Sequence, residues 1–263
     1  EAANRAEGVA EKILNALNQP FMLDHLEHHS SPSIGITLFN GKQDSIEDLL
    51  KRADLAMYEA KASGGNTVVF FDPAMQAAVA ARVSLEAELR KAVKRSEFVL
   101  HYQPQVNARD ELVGVEALAR WQHPERGLIS PYEFISLAEE TLLIIPIGQQ
   151  LIMQACELLK HWSGHPRTSH LTVSVNVSPR QFHHPDLVQM VIGALRASGA
   201  RADRLLLEIT ENVLMDNLEE NIAKMTELRK NGIRFSIDEF GTGYSSLAYL
   251  KRLPLDELKI DRS

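Results

Sequence analysis

The chain has 263 residues, of which 44% are hydrophobic and 24% charged, a composition typical of water-soluble globular domains. Its formal net charge of −7 has the wrong sign for binding polymeric nucleic acid through phosphate neutralisation, so that class of partner is excluded. No apolar run reaches the roughly 18 residues of a membrane span, and the single cysteine, Cys156, excludes an internal disulfide. We therefore expect a cytoplasmic segment without membrane contact, whatever an upstream part of the protein attaches to.

The N-terminal part predicts about half of a small α/β domain. Helical patterns in residues 5–17 and 45–64 alternate with apolar β runs in residues 31–39 and 66–71. An alanine-rich stretch, residues 77–98, then predicts a long helix. The predicted divisions of the chain are a first domain at residues 1–73, a linker helix at 74–95 and a second domain at 96–263.

From Phe98 onward, apolar β runs alternate with helical patterns. Such alternation indicates βαβ units and a parallel sheet. Only six β runs are found, whereas a closed (β/α)8 barrel has eight strands and takes roughly 200 residues or more. We therefore predict an α/β fold with a TIM-like (β/α)8 barrel that is incomplete at its C-terminus. The runs lie at residues 98–106, 112–121, 170–178, 204–211, 233–240 and 255–261.

Polar side chains recur in these runs, mostly at their carboxyl ends, where barrel enzymes build their active sites. Taken alone, each has an ordinary alternative, such as a helix N-cap or a solvated charge at the rim. Recurrence on successive strands argues against independent accidents. The residues concerned are Glu116, Asn176, Glu208, Asp238, Glu239, Lys259 and Asp261.

The chemistry of this set favours hard divalent cations. Oxygen ligands without histidine or cysteine suit Mg²⁺, Mn²⁺ or Ca²⁺ better than zinc. The carboxylates outnumber those that one Mg²⁺ usually takes from a protein, so we expect two ions that share a bridging carboxylate, as in phosphoryl hydrolysis. Lys259 would orient the attacking water or neutralise developing charge. The adjacent pairs His28-His29 and His183-His184 lack the ligand spacing of a metal site.

Other singular residues are assigned to packing. We interpret Cys156, in an apolar helical pattern, as a buried small hydrophobe. Trp121 and Trp162 are likewise predicted to be packing residues.

Six short motifs follow one another along the second domain. They are YQPQV, EALARW, SVNVSPRQF, LEITE, DEFGTGYSSL and LKIDRS. In this order they resemble the EAL family of cyclic-di-GMP phosphodiesterases, whose name is the motif at residues 116–118. Upstream, SIGIT and RADLAMYEAKASGGN resemble the C-terminal half of a GGDEF (diguanylate cyclase type) domain. The resemblance covers essentially the whole chain and implies that both domains are truncated.

The resemblance implies an activity and a set of site residues. The activity is opening of one phosphodiester bond of cyclic-di-GMP, giving linear pGpG, with two Mg²⁺ or Mn²⁺ ions. The family often dimerises, which leaves a homodimer through this domain as an option. The implied metal ligands are Glu116, Asn176, Glu208, Asp238 and Glu239. The implied catalytic residues are Glu116, Lys259 and Glu211, the last of which resembles a glutamate that steadies the loop FGTGYSS. The implied substrate contacts are Gln103, Leu118 and Arg120.

Three departures from the family patterns qualify this reading. Glu239 stands where the family usually has a second aspartate, and its extra methylene moves the carboxylate away from a second metal ion. The sequence ends at Ser263, before a further catalytic glutamate of the family, so a chain that truly ended there would be inactive while the intact protein is an enzyme. Gly65 replaces an arginine of the GGDEF phosphate site, and we therefore expect no cyclase activity.

Two alternatives stay open at this point. One is a regulatory module that binds cyclic-di-GMP without hydrolysing it, which the change at Glu239 motivates. The other is a metal-dependent barrel enzyme with different chemistry, because a fold does not fix a function.

Overall fold

The computed structural model of the protein describes residues 2–39, 44–214, 217–241 and 252–260. The chain divides into two compact units, Glu1–Leu85 and Glu86–Ser263. A single helix, α3 (Pro73–Arg95), contains the point of division. Each unit is an α/β structure in its own right.

The first unit has the predicted helix and strand order with one addition. Strands β3 (Ser33–Ile36) and β4 (Thr67–Phe70) pair in parallel, and Ser45 caps the start of α2 (Ile46–Ala62), because its Oγ accepts a hydrogen bond of 3.1 Å from the Asp48 amide. The addition is an antiparallel hairpin of two short strands, β1 (Phe21–Leu23) and β2 (Leu26–His28), which includes His28. The elements are α1 (Ala2–Leu17), β1 (Phe21–Leu23), β2 (Leu26–His28), β3 (Ser33–Ile36), α2 (Ile46–Ala62) and β4 (Thr67–Phe70).

The described strands of the second unit are β5 (Phe98–Val106), β6 (Leu112–His123), β7 (Gly127–Ile129), β8 (Thr172–Asn176), β9 (Leu205–Thr210), β10 (Arg234–Phe240) and β11 (Glu257–Ile260). They form a sheet in the order β11-β10-β9-β8-β6-β5, with β7 also paired to β6. The ladders from β6 through β8, β9 and β10 to β11 are parallel. The helices are α4 (Pro131–Glu140), α5 (Ile144–Ser163), α6 (Pro179–Phe182), α7 (Leu187–Ser198) and α8 (Leu218–Lys230).

The first strand of this sheet departs from the expected parallel arrangement. β5 runs antiparallel to β6, because only residues 107–111 separate the two strands and a parallel crossover needs roughly a dozen residues. Asn107 forms the turn, since its Oδ1 accepts hydrogen bonds from the amides of Arg109 (2.8 Å) and Glu111 (3.1 Å). All six predicted β runs nevertheless contain strands.

The core of the second unit lies between the sheet and its helices. In β9, residues 205–209 are all buried, as expected of a parallel strand covered on both faces. Phe98, Trp121 and Phe134 form an aromatic cluster with ring centroids 5.6–5.9 Å apart, so the prediction that Trp121 is a packing residue is confirmed. Cys156 on α5 is fully buried, also as predicted. Within the described ranges, the helices are too short or too polar to cross a bilayer.

Candidate metal centre and substrate cleft

Parallel strands bring three carboxylates of the second unit together. Glu116 lies on β6, Glu208 on β9 and Asp238 on β10, and one oxygen from each lies within 4.8 Å of the other two. Between β6 and β9, β8 ends at Asn176, whose Nδ2 donates a hydrogen bond of 2.9 Å to Glu116 Oε1. The structure thus gathers four of the predicted residues at one place.

An ammonium group completes this cluster. Lys259, on β11, donates hydrogen bonds to Glu116 Oε2 at 2.8 Å and to Glu208 Oε2 at 2.5 Å. Burial alone lowers the pKa of Lys259, but the hydrogen bonds and opposite charges of the two glutamates outweigh burial and raise that pKa. Lys259 is therefore protonated at neutral pH and offsets the repulsion between the two carboxylates.

Glu208 is the member whose environment fits a cation most directly. Its side chain is 1% exposed, and burial raises its pKa, which the hydrogen bond from Lys259 only partly offsets. Within the described ranges, its Oε1 is buried and accepts no hydrogen bond. A buried acceptor without a donor costs free energy, and a cation would remove that cost. The residues present therefore fit a divalent metal ion held by oxygen ligands.

A bulge separates the two adjacent carboxylates of β10. The pairing register with β11 shifts between Ile237 and Phe240, so that the two residues Asp238 and Glu239 stand opposite the single residue Lys259. Glu239 has a left-handed φ of 55°, which is uncommon for a residue other than glycine. As a result, Asp238 joins the carboxylate cluster, whereas Glu239 is exposed and lines the neighbouring cleft.

The cleft beside the cluster has a volume of about 700 Å³ and is lined by Leu118, Arg120, Tyr132, Asn176 and Glu239, among others. Leu118 and Arg120 follow Glu116 at intervals of two on β6, so all three side chains lie on the same face of the strand. Arg120 donates one hydrogen bond, of 2.7 Å, to the Ala119 carbonyl. A ligand in the cleft would therefore meet a guanidinium together with Asn176, whose side chain is hydrogen-bonded to Glu116 of the cluster.

Gln103 lies on the far side of Glu116 from the parallel strands. It is exposed on β5 and stands directly opposite Glu116 in the antiparallel register. Directly opposed residues share a face of the sheet, so the Gln103 amide borders the cluster.

Comparison with known proteins places the chain. The family model described as EAL domain matches residues 86–263, which is more than half of the chain. The protein belongs to the EAL domain family. A second model, described as diguanylate cyclase, GGDEF domain, matches residues 1–67, so a partial GGDEF domain precedes the EAL domain. The sheet of the second unit is accordingly part of the TIM-like barrel of EAL domains.

Relatives of known name match nearly the whole chain. The bifunctional diguanylate cyclase/cyclic di-GMP phosphodiesterase MucR of Pseudomonas aeruginosa is 42% identical over 260 residues, covering 98% of this chain and 38% of MucR. The cyclic di-GMP phosphodiesterase PdeR of Escherichia coli is 36% identical over 256 residues, covering 97% of this chain and 38% of PdeR. The chain thus spans well under half the length of these relatives.

Solved structures support the same placement. The PaMucR phosphodiesterase, solved as a c-di-GMP complex, is 45% identical to this chain and has a TM-score of 0.65. The alignment covers 68% of this chain and 72% of that one. The EAL enzyme Bd1971, solved with cAMP and cyclic-di-GMP bound, is 33% identical to this chain and has a TM-score of 0.65. The alignment covers 83% of this chain and 57% of Bd1971.

Glu211 of this EAL domain directly follows β9, the strand that carries Glu208. It is 2% exposed, and its Oε2 accepts a hydrogen bond of 3.1 Å from the amide of Gly241, directly after β10. The predicted loop beyond Gly241, including Ser245 and Ser246, lies outside the described residues, as does Asp261.

Sequence reasoning missed several residues of the EAL domain that line the site. Tyr132 on α4 borders the first cleft, and a second cavity of about 310 Å³ runs from Asn176 and Glu208 to Gly148 and Gln181. The motif SVNVSPRQF contained the available signal for Gln181, because a serine followed three positions later by glutamine is a capping-box pattern.

Proposed function

We propose that this EAL domain hydrolyses cyclic-di-GMP to linear pGpG in bacterial signalling, as part of a longer protein. The observation that carries the proposal is the cluster of Glu116, Glu208 and Asp238, joined by Lys259, beside a cavity that Glu208 and Arg120 both line. The names of MucR and PdeR, and the c-di-GMP complex of PaMucR, support the same substrate.

Oxygen ligands of the cluster would hold divalent ions, for which we propose two Mg²⁺ or Mn²⁺. Glu116, Asn176, Glu208 and Asp238 are the proposed ligands, and Glu239 is proposed to contribute to the second ion. The orphaned Glu208 Oε1 supports this assignment. When bound, such ions would supply Lewis-acid chemistry that activates water and stabilises phosphate oxygens.

The protein's own side chains bind and position the reactants in this proposal. Lys259 is held protonated beside Glu116 and Glu208, where an ammonium group orients water by hydrogen bonding and neutralises developing negative charge. Arg120 binds a substrate phosphate, because a planar guanidinium pairs with two phosphate oxygens at once. Gln103 and Leu118 are the proposed further contacts with the nucleotide.

Glu211 has a positioning role in the same proposal. Its buried carboxylate accepts the Gly241 amide, so it fixes the point at which the chain leaves β10. Asp238 and Glu239 lie three and two residues before Gly241, and their directions depend on this anchor.

The deciding experiment incubates the full-length protein with cyclic-di-GMP and either Mg²⁺ or Mn²⁺, and follows pGpG by chromatography. We expect pGpG to form with metal and not with chelator. A folded protein that binds metal yet forms no pGpG would contradict the proposal.

A non-hydrolytic binding module is the second candidate, and the exposed Glu239 in the bulge is the observation that favours it. Under this alternative, calorimetry detects cyclic-di-GMP binding and chromatography detects no turnover. Turnover in a Glu239→Asp variant would then identify the cause.

Organisation and surroundings complete the proposal. We keep residues 1–73 as the partial GGDEF domain, 74–95 as a linker helix and 96–263 as the EAL domain. We also propose a cytoplasmic location, cyclic-di-GMP rather than polymeric nucleic acid as the partner, and a homodimer formed through the EAL domain.

A further inference from the structure

The turn that follows Asn176 is held at two points. Immediately after β8, the amide of Val177 donates a hydrogen bond of 2.8 Å to the carbonyl of Glu208. One residue later, Ser178 caps the short helix α6. The backbone that orients the Asn176 side chain is thus fixed on one side by β9 and on the other by α6.

Gln181 completes the cap that Ser178 forms at the start of α6. Its side-chain Oε1 accepts a hydrogen bond of 3.1 Å from the Ser178 backbone amide, and the Gln181 backbone amide donates one of 3.3 Å to Ser178 Oγ. This reciprocal pair satisfies two donors that the start of a helix otherwise leaves unpaired. Although polar, Gln181 is only 3% exposed, so its side chain is confined as well as bonded.

Gly148 on α5 provides the space that Gln181 occupies. A Cβ at position 148 would lie 1.5 Å from Gln181 Nε2 and 2.6 Å from its Cδ. Gly148 does not have a positive φ, so its backbone conformation is open to any residue. Glycine inside a helix costs about 1 kcal/mol relative to alanine, which makes the space for Gln181 the physical reason for glycine here.

We propose that Gly148 and Gln181 form a positioning pair for Asn176, which sets the metal affinity of the site; the inference rests on the proposed function. Gly148 lets the Gln181 side chain lie against α5, Gln181 fixes Ser178, and Ser178 fixes the turn that carries Asn176. Loss of the Gln181 acceptor then frees Asn176, although neither residue of the pair is a ligand. Changes of this indirect kind typically weaken metal affinity by about 10- to 100-fold.

Three variants test the pair in the full-length protein, with Mn²⁺ affinity measured by calorimetry and thermal unfolding measured in parallel. Gln181→Met keeps the volume of the side chain and removes its acceptor, and Gly148→Ala introduces the clash. The double change Gly148→Ala with Gln181→Ala removes both the clash and the acceptor. Gly193→Ala is the matched control, because a Cβ at this helical glycine of α7 would meet nothing within 4 Å.

We expect Gln181→Met to bind Mn²⁺ about 10- to 100-fold more weakly than the wild type. The double variant should unfold at a higher temperature than Gly148→Ala and still bind Mn²⁺ as weakly as Gln181→Met. Gly193→Ala should bind Mn²⁺ as the wild type does. A purely structural role predicts instead that affinity follows unfolding temperature, so recovery of both in the double variant overturns the proposal, as does wild-type affinity in Gln181→Met. Wild-type protein that binds no Mn²⁺ would overturn the proposed function itself.

Discussion

The ammonium of Lys259 lies 2.5 Å from the carboxylate of Glu208, although 51 residues separate them along the chain. The same ammonium contacts Glu116, which is 143 residues away, at 2.8 Å. These contacts join β11 to β9 and β6 across the sheet. A positive charge therefore occupies part of the space between carboxylates that would otherwise repel each other.

Replacing Lys259 with methionine should show whether Lys259 stabilises the carboxylate cluster independently of its role in hydrolysis. Loss of one partner of a largely buried ion pair leaves Glu116 and Glu208 uncompensated, which should lower the free energy of unfolding by about 3 kcal/mol without metal. Added Mg²⁺ should then raise the unfolding temperature more in the variant than in the wild type, because a cation replaces the ammonium. Hydrolysis should still fall. Equal metal-induced shifts in the two proteins would show that Lys259 does not neutralise the cluster.

Glu208→Gln should remove metal binding with little change in shape. The amide keeps the size of the side chain but lacks the negative charge, and its NH₂ group is a poor ligand. We expect Mn²⁺ affinity and the rate of pGpG formation to fall by more than about 100-fold. Loss of a residue that only orients a ligand costs up to about 100-fold, and loss of a ligand should cost more. Glu227→Gln, an exposed change on α8, is the control and should alter neither. Wild-type Mn²⁺ affinity in Glu208→Gln would remove Glu208 from the ligand set.

Arg120→Lys should weaken substrate binding more than it slows turnover. Lysine keeps the charge but not the paired donors of the guanidinium, and one charged hydrogen bond is worth about 1.5–3 kcal/mol. We expect KM for cyclic-di-GMP to rise about tenfold or more, with a smaller change in kcat. Arg126→Lys serves as the comparison, because Arg126 forms an exposed ion pair with Glu133. An unchanged KM in Arg120→Lys would place the substrate phosphate elsewhere.

Glu239→Asp should improve the second metal site. The shorter side chain brings the carboxylate closer to the backbone of the bulge, and aspartate adopts a left-handed φ more readily than glutamate. We expect the affinity for a second Mn²⁺, measured by calorimetry, to rise about tenfold. Glu227→Asp is the control for the loss of one methylene. If the metal stoichiometry and the rate of pGpG formation are both unchanged, Glu239 has no part in metal binding.

The free energy of unfolding should fall with rising pH in the alkaline range because Cys156 is buried. Burial raises the pKa of its thiol from 9.0 to about 12. The unfolded chain therefore releases this proton near pH 9 while the folded protein retains it, so stability falls as pH rises between about 9 and 12. The expected loss is about 1.4 kcal/mol for each pH unit. Denaturant unfolding across this range should show that slope in the wild type and a flatter one in Cys156→Ala. Identical slopes would contradict the assignment.

The sequence by itself determined the strands and the family, and it predicts the chemistry-bearing residues. Alternation of apolar and helical patterns located all six β runs, because side-chain periodicity is a local property. Asn176, Glu208 and Asp238 are candidates because they lie near strand ends, which the topology of a parallel sheet collects at one edge, and Glu116 is a candidate within the second run. The register of the motifs then pointed to the EAL family.

The tertiary structure alone decided how these residues meet. The irregular pairing at Asp238 and Glu239 and the bond from Lys259 to Glu208 both depend on strand register. The contact between Gly148 and Gln181 depends on how α5 packs against α6. Local pattern fixes which face of an element a side chain occupies, whereas distances between elements follow from packing of residues far apart in the chain. For that reason the sequence yields candidate ligands, and only the fold shows which neighbours hold them in place.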